Sequence, residues 1–352
     1  MKLIVCEVHK MNKYVFYIKK GIFRVLKNFK NIRIHLLEYS HSLRNNKNAR
    51  KSYLEAQILV LTHSLEKGLG LENTRVGYGK KKAEQLIEEI EKYMQQGYSQ
   101  TSYVFLEAVR VMEVYLEYQR AKGVNNEALD LKVKSIKGLL NTNELKLLNE
   151  YSAGFTLYNK EELLRAQDFN FQEFISLRHS IRTYKPELIG EDIMRKVVEM
   201  ANLAPSACNR QPIKVYCSGS REVVNETDRL ITGNYGFKGV IPNYAIITCD
   251  RACFFDNEQF QWYVNGGIYL SYFTLALHSL GIGTLIMQWF PFYKTENILK
   301  KFYGISKNEA IVAIVGYGYY ADEFKCICAQ RKNIDETLIL KKQADGADGT
   351  VT

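Results

Sequence analysis

Two short runs carry the groups best suited to chemistry. Arg178-His179-Ser180-Ile181-Arg182 offers two guanidiniums, an imidazole and a hydroxyl within five residues, and Ala204-Pro205-Ser206-Ala207-Cys208-Asn209-Arg210-Gln211-Pro212 offers a polar turn some twenty residues later. Arginine suits phosphate because its planar fork donates two hydrogen bonds at once and keeps its charge at any working pH. On chemistry alone the two runs read as parts of one phosphate-anchored cofactor site, all within reach of a single anion. The blander alternatives stay open. Arg178 and Arg182 could pair with Glu173 or Glu187, His179 could cap or pack, and Ser206 and Asn209 could simply form a turn after proline. Cys208 reads as a small buried filler, because no local base would activate it.

The bulk properties set limits on what surrounds these runs. At 352 residues the chain is long enough for two domains, and its 46% apolar and 24% charged residues are those of a soluble globular protein. Seven cysteines without zinc or disulfide-framework spacing read as reduced thiols, so neither a metal site nor an oxidising compartment is expected. Met1–Val8 has too short an apolar core for a signal peptide, which predicts a cytoplasmic chain. The net charge of +10 is concentrated at the start: residues 1–37 hold nine Lys or Arg against Glu7 alone, interleaved with aromatic and aliphatic residues. Such a stretch could pack on its own domain or touch an anionic membrane surface from the periphery. No reading motif for nucleic acid accompanies it. Gly266–Tyr293 lacks Asp, Glu, Lys and Arg, but its glycines, His278, Gln288 and Pro291 divide it into helix, turn and strand, so a core helix is expected there, not a membrane span.

Positioning elements follow from periodicity. Residues 50–165 read as almost wholly helical, with faces at Tyr53–Leu65, Lys81–Met94 and Ser102–Ala121, a helix capped by Thr142, and breaks at Gly68, Gly70, Gly77 and Gly79. Beyond residue 168 the pattern mixes. Helices are expected at Phe171–His179, Glu191–Leu203, Glu258–Leu280 and Glu296–Phe302, and extended segments at Ile213–Cys217, Tyr244–Cys249, Thr284–Met287 and Ala310–Tyr317. The division is therefore 1–165 helical, 166–340 mixed and 341–352 a tail of disordered composition; the mixed part predicts an α+β fold around one mainly antiparallel sheet.

The two runs together resemble the nitroreductase family of FMN-dependent oxidoreductases, which opens with Arg-Arg/His-Ser-x-Arg and continues to Pro-Ser-x-x-Asn-x-Gln-Pro. The resemblance covers roughly residues 172–337. It implies a three-layer fold, an intertwined homodimer, and FMN at the subunit interface. By that resemblance Arg178, His179, Ser180 and Arg182 would meet the FMN phosphate, ribityl chain or N1/C2 edge, and Pro205, Ser206, Asn209 and Gln211 would line the flavin from the turn. After His278-Ser279-Leu280-Gly281 the backbone of Met287, Gln288 and Trp289 would face flavin N5 and O4. Trp289, Phe290 and Phe292 are equally readable as core aromatics. Gly316-Tyr317-Gly318 would be followed by Arg331 on the phosphate; many members carry a lysine where this chain has Ala329, a gap that Lys332 could fill. Gly233–Lys238 sits where some members touch the ring.

The activity implied is electron transfer from NADH or NADPH through flavin N5 to a small-molecule acceptor, with no general acid or base of the protein's own. His63-Ser64-Leu65-Glu66-Lys67-Gly68 resembles the N-terminal region of members associated with surface-polysaccharide synthesis. There Glu66 and Lys67 read as solvated helix-end charges, or as a site for an anionic sugar. The competing reading is a flavin-binding or flavin-less interaction module of a membrane-associated assembly.

Overall fold

The computed structural model describes residues 47–70, 74–155, 169–234, 238–289, 293–324, 326, 331 and 333–341. The basic stretch 1–37, the tail 342–352 and the expectations for Phe290, Phe292, Ala329 and Lys332 lie outside the described residues.

Among the described residues of the first half five helices are found: α1 Lys47–Leu69, α2 Lys80–Gln95, α3 Tyr103–Ala121, α4 Glu127–Gly138 and α5 Thr142–Glu150. Helix α3 is their centre. Val104, Phe105, Ala108, Val109, Val111, Met112, Tyr115 and Leu116 are buried around it, against Leu54, Ile58 and Leu65 of α1 and Leu86, Ile87 and Ile90 of α2. One expectation needs correction. The cap of α5 is Asn141, not Thr142: its side chain accepts from the Asn143 and Glu144 amides while the Glu144 carboxylate returns to the Asn141 amide at 2.9 Å, closing a capping box. Gly68 lies in the last turn of α1, which ends one residue later, and its lack of a side chain serves packing: a Cβ there would meet the Tyr78 ring at 1.9 Å. The glycine is there to let Tyr78 in.

The second half is α+β. Its further helices are α6 Phe171–Leu177, α7 Glu191–Ala201, α8 Arg221–Leu230, α9 Gln261–Ser279 and α10 Tyr293–Tyr303; its strands are β1 Ile213–Cys217, β2 Asn243–Asp250, β3 Ile282–Met287 and β4 Glu309–Tyr319. The strands pair antiparallel in the order β1-β2-β4-β3, and one isolated parallel bridge, Ser180 to Thr284, extends the sheet beyond β3. Every residue of β2 is buried, as a central strand covered on both faces must be. One face packs Ala245, Ile247, Val315 and Tyr317 against Val197 and Ala201 of α7 and Phe273 and Leu277 of α9. The other packs Ile246, Ile314 and Leu285 against Val224 of α8 and Leu299 of α10. These make three layers.

Helix α8 is absent from the sequence-based expectations. Its apolar positions are few, and what starts it is the Ser220 hydroxyl accepting from the Val223 amide. Among the described residues no helix is long and apolar enough to cross a membrane, and α9 has the core role expected of it.

Candidate functional site

The Arg178–Arg182 segment is extended backbone laid along β3. The Ile181 amide donates to the Thr284 carbonyl at 2.9 Å, and Ile181 is buried. This close approach explains Gly283: a Cβ there would lie 2.9 Å from Ile181 Cγ1 and 3.0 Å from the Tyr320 ring. Tyr184 bridges to Tyr320 and donates its hydroxyl to the Ile181 carbonyl at 2.6 Å, and Asn243 accepts from the Ile189 amide at 3.0 Å. Both arginines thus project from a fixed strand-like segment. Helix α6 ends at Leu177, so Arg178 is its cap and not part of it.

Arg178 and Arg182 are half-buried, and Arg182 donates to the Ser180 carbonyl at 3.3 Å. Among the described residues neither guanidinium forms an ion pair with a carboxylate, so the expected alternative of Glu173 or Glu187 as partner is not what the structure shows. His179 is exposed and Ser180 half-buried. Beside them His278 joins three elements. Its Nε2 lies 3.1 Å from the Phe174 carbonyl and its Nδ1 2.9 Å from the Tyr320 hydroxyl. A carbonyl only accepts, so Nε2 carries the hydrogen and the neutral ring accepts from Tyr320 at Nδ1. Burial, and then the charges of Arg178 and His179, hold the His278 pKa below its ordinary value. The positive charge at this edge therefore belongs to the arginines, with His278 a neutral brace.

The end of β3 completes this edge. Met287 is buried, Gln288 exposed, and Trp289 half-buried against the core beneath α8 and α10. Gly233 lies against them so closely that a Cβ would meet the Gln288 carbonyl at 2.6 Å. Arg331 is exposed beyond β4.

The turn 205–211 lies elsewhere. It enters β1, the opposite edge strand, and Thr284, beside Ser180, and Ile213 sit at diagonal corners of the four-stranded sheet. Three inter-strand steps separate the edges, and six residues of β2 separate Asn243, level with Thr284 through Tyr317, from Cys249, level with Ile213. With ~4.8 Å per strand and ~3.3 Å per residue the corners are roughly 24 Å apart. Within one chain the two runs therefore do not meet at a single anion. Strand order, which spacing along the chain does not reveal, places them apart.

The turn itself is highly constrained. Cys208, Asn209 and Gln211 take the left-handed region, with φ of 52°, 51° and 47°. Such residues persist only where their surroundings over-determine them. Here the Gln211 amide donates to Ser206 Oγ at 2.9 Å, the Ala207 amide donates to Asn265 Oδ1 of α9 at 2.8 Å, and the Asn209 carbonyl accepts from Tyr103 of α3 at 2.8 Å. Pro205, Asn209 and Gln211 are exposed, and Ser206 is half-buried. Cys208 is half-buried, not the buried filler expected, and its backbone is left-handed. Pro205, Ser206, Gln211, Asn265 and Tyr103 line a cleft of about 210 Å³.

The C-terminal half is thus a three-layer α+β arrangement with a cationic edge at one corner of its sheet and a polar turn at the other. Residues 175–233 and 257–319, within the C-terminal half, match the model of the Nitroreductase family. Over 153 residues, 43% of this chain and 86% of the relative, the sequence is 28% identical to a protein of Archaeoglobus fulgidus named for NADH dehydrogenase/NAD(P)H nitroreductase activity. A protein of the same name from Methanothermobacter thermautotrophicus is 25% identical over 150 residues, 43% of this chain and 77% of the relative. Among solved structures, an FMN-dependent nitroreductase of Clostridium difficile R20291 is 21% identical with a TM-score of 0.38, covering 46% of this chain and 92% of that one.

Proposed function

We propose that this chain is an FMN-dependent oxidoreductase that takes electrons from NADH or NADPH, and that its site is completed by a second copy of the chain. The observation that carries this reading is the pair of guanidiniums, Arg178 and Arg182, held half-buried on a rigid segment inside the family-matching region without a carboxylate partner among the described residues. Two uncompensated cations on fixed backbone fit a phosphate monoester. Arg178, Ser180 and Arg182 would hold the phosphate end, and the backbone from Met287 to Trp289, beside Gly233, would hold the ring. Pro205, Ser206, Asn209 and Gln211 would come from the second copy, because in one chain they lie at the far corner of the sheet. Phe260, Val264, Ile268 and Tyr272 support that pairing. Phe260 caps α9, and Val264, Ile268 and Tyr272 continue from it as an exposed apolar stripe at four-residue spacing along the helix, a face suited to cover by an identical helix.

When bound, FMN would supply the two-electron acceptance and release that side chains lack. The protein's own part is to fix charge and to exclude water. His278, kept neutral, braces α6 against Tyr320 without adding a charge of its own. No side chain is assigned a proton-transfer role. The division into a helical 1–165 and a catalytic 166–340 is part of this reading. So are peripheral membrane contact through 1–37 and a link to surface-polysaccharide synthesis, which rest on the sequence of the first half alone.

The test is direct. Purified protein should be yellow with near-stoichiometric FMN, and NADH or NADPH should bleach it without oxygen; nitroaromatics and quinones then serve as an acceptor screen. Yellow protein that neither nicotinamide bleaches would favour a flavin-binding module. Colourless protein that takes up no added FMN would sink both readings.

A further inference from the structure

The turn 205–211 is held from two directions, and one of them is the helical half of the chain. From its own side it is anchored by Asn265 of α9, by the Ser206 hydroxyl, and by Arg210 through Glu258. From the other side Tyr103, the first residue of α3, donates its hydroxyl hydrogen to the Asn209 carbonyl at 2.8 Å across 106 residues of sequence. Among the described residues this carbonyl receives no other hydrogen bond, and it sits between two of the three left-handed residues of the turn. Tyr103 also lines the cleft with Pro205, Ser206 and Gln211. Burial, and then the Glu107 carboxyl one helical turn away, push the Tyr103 phenol pKa upward, so the group stays an O–H donor. Helix α1 touches the same part of the fold separately, through Ser52, whose hydroxyl donates to Asp250 at 2.6 Å.

We infer that Tyr103 is a positioning residue for the cofactor site: it fixes the peptide after Asn209 so that the helical half sets the conformation in which the turn receives flavin. This rests on the flavin reading above. A carbonyl pinned by a phenol cannot rotate with its left-handed neighbours, so the turn presents Asn209 and Gln211 in one arrangement before any ligand arrives, and binding does not have to select it. The helical half is then a working part of the site, not merely an attachment to it.

The experiment compares full-length wild type with Tyr103→Phe and Ser52→Ala. Tyr103→Phe keeps the ring in the cleft and removes only the donor. It should weaken FMN binding about five-fold, the worth of one lost hydrogen bond. It should also speed amide hydrogen exchange across 207–211 in the flavin-free protein. Ser52→Ala cuts another bond between the same two halves and should leave both readouts at the wild-type level. Equal losses in the two variants would reduce Tyr103 to general docking and overturn the inference. So would a Tyr103→Phe protein that binds FMN and exchanges like wild type, with the flavin reading left standing. A wild-type protein that takes up no FMN would sink the flavin reading and this inference together.

Discussion

Arg210 and Glu258 form a bidentate ion pair, with both guanidinium nitrogens 2.7 Å from the two carboxylate oxygens. Arg210 sits in the middle of the second motif and has the side chain best suited to phosphate, yet it points inward. It also donates to the Cys253 carbonyl at 2.8 Å and stacks over Phe254 at 4.7 Å. The hydrogen bonds from Arg210, then that from the Phe255 amide and the charge of Arg210, hold the Glu258 pKa below its ordinary value. This cation serves the turn and not a ligand. Removing one partner of such a pair leaves a buried charge unmatched, at a cost of about 3 kcal/mol. Glu258→Gln should lower the thermal midpoint accordingly and loosen the turn. A variant as stable as wild type would show that the pair is incidental.

Arg178 and Arg182 should behave in the opposite way. They are half-buried and without a carboxylate partner among the described residues, so alanine at either site should change stability by no more than about 0.5 kcal/mol. Each substitution should nevertheless weaken FMN binding roughly ten- to hundred-fold, because a charge-assisted hydrogen bond contributes about 1.5–3 kcal/mol. Flavin titration followed by fluorescence, with thermal unfolding of the same samples, separates the two quantities. Stoichiometric flavin retained by Arg178→Ala would count against the assignment of this edge.

That contrast marks how far the sequence could be read. Ile213–Cys217 is found where its β-branched residues place it, and the other strands and the long helix differ from expectation only at their ends. Local pattern determines these elements. The residue types of the site were equally visible, but the partner of each was not. Arg178, Arg182 and Arg210 look alike in a motif, and only the fold gives one of them to Glu258. The separation of the two motifs follows from the order β1-β2-β4-β3, which non-local pairing sets. Tyr103 reads in sequence as one more helix-start aromatic; its acceptor lies 106 residues away. Glu66, expected to be solvated, is half-buried against Glu107, and nothing in its neighbours along the chain says so.

The exposed stripe on α9 leads to a prediction about assembly. Val264 and Ile268 are exposed on a helix whose opposite side is core, and a second copy seated there would bury them. Ile268→Glu should shift the protein from dimer to monomer in sedimentation and should lose FMN at the same time, although residue 268 need not touch it. The fold of each chain should survive, since the position is already wet. A wild-type monomer that holds FMN in full would contradict the two-copy site.

The helical half should respond to pH through Glu107. Burial, followed by the hydrogen bond and repulsion from Glu66, raises its pKa to about 7, and burial raises Glu66 as well. Between the ordinary value near 4.5 and about 7 the folded carboxyl keeps a proton that the unfolded chain has released. Folded protein then binds more protons than unfolded, so stability falls as pH rises across that window. The contribution is fully present below the unfolded pKa and is lost as pH passes the folded one. His63, 3.6 Å from Glu66 and with its own pKa lowered first by burial and then by Lys67, acts in the opposite sense: its contribution is lost as pH falls. The two are separated by comparison with Glu107→Gln. The wild-type thermal midpoint should drop between about pH 5 and about pH 8 by more than that of the variant, whose amide cannot ionise. Parallel curves for the two proteins would mean that Glu107 ionises as freely in the folded state as in the unfolded one.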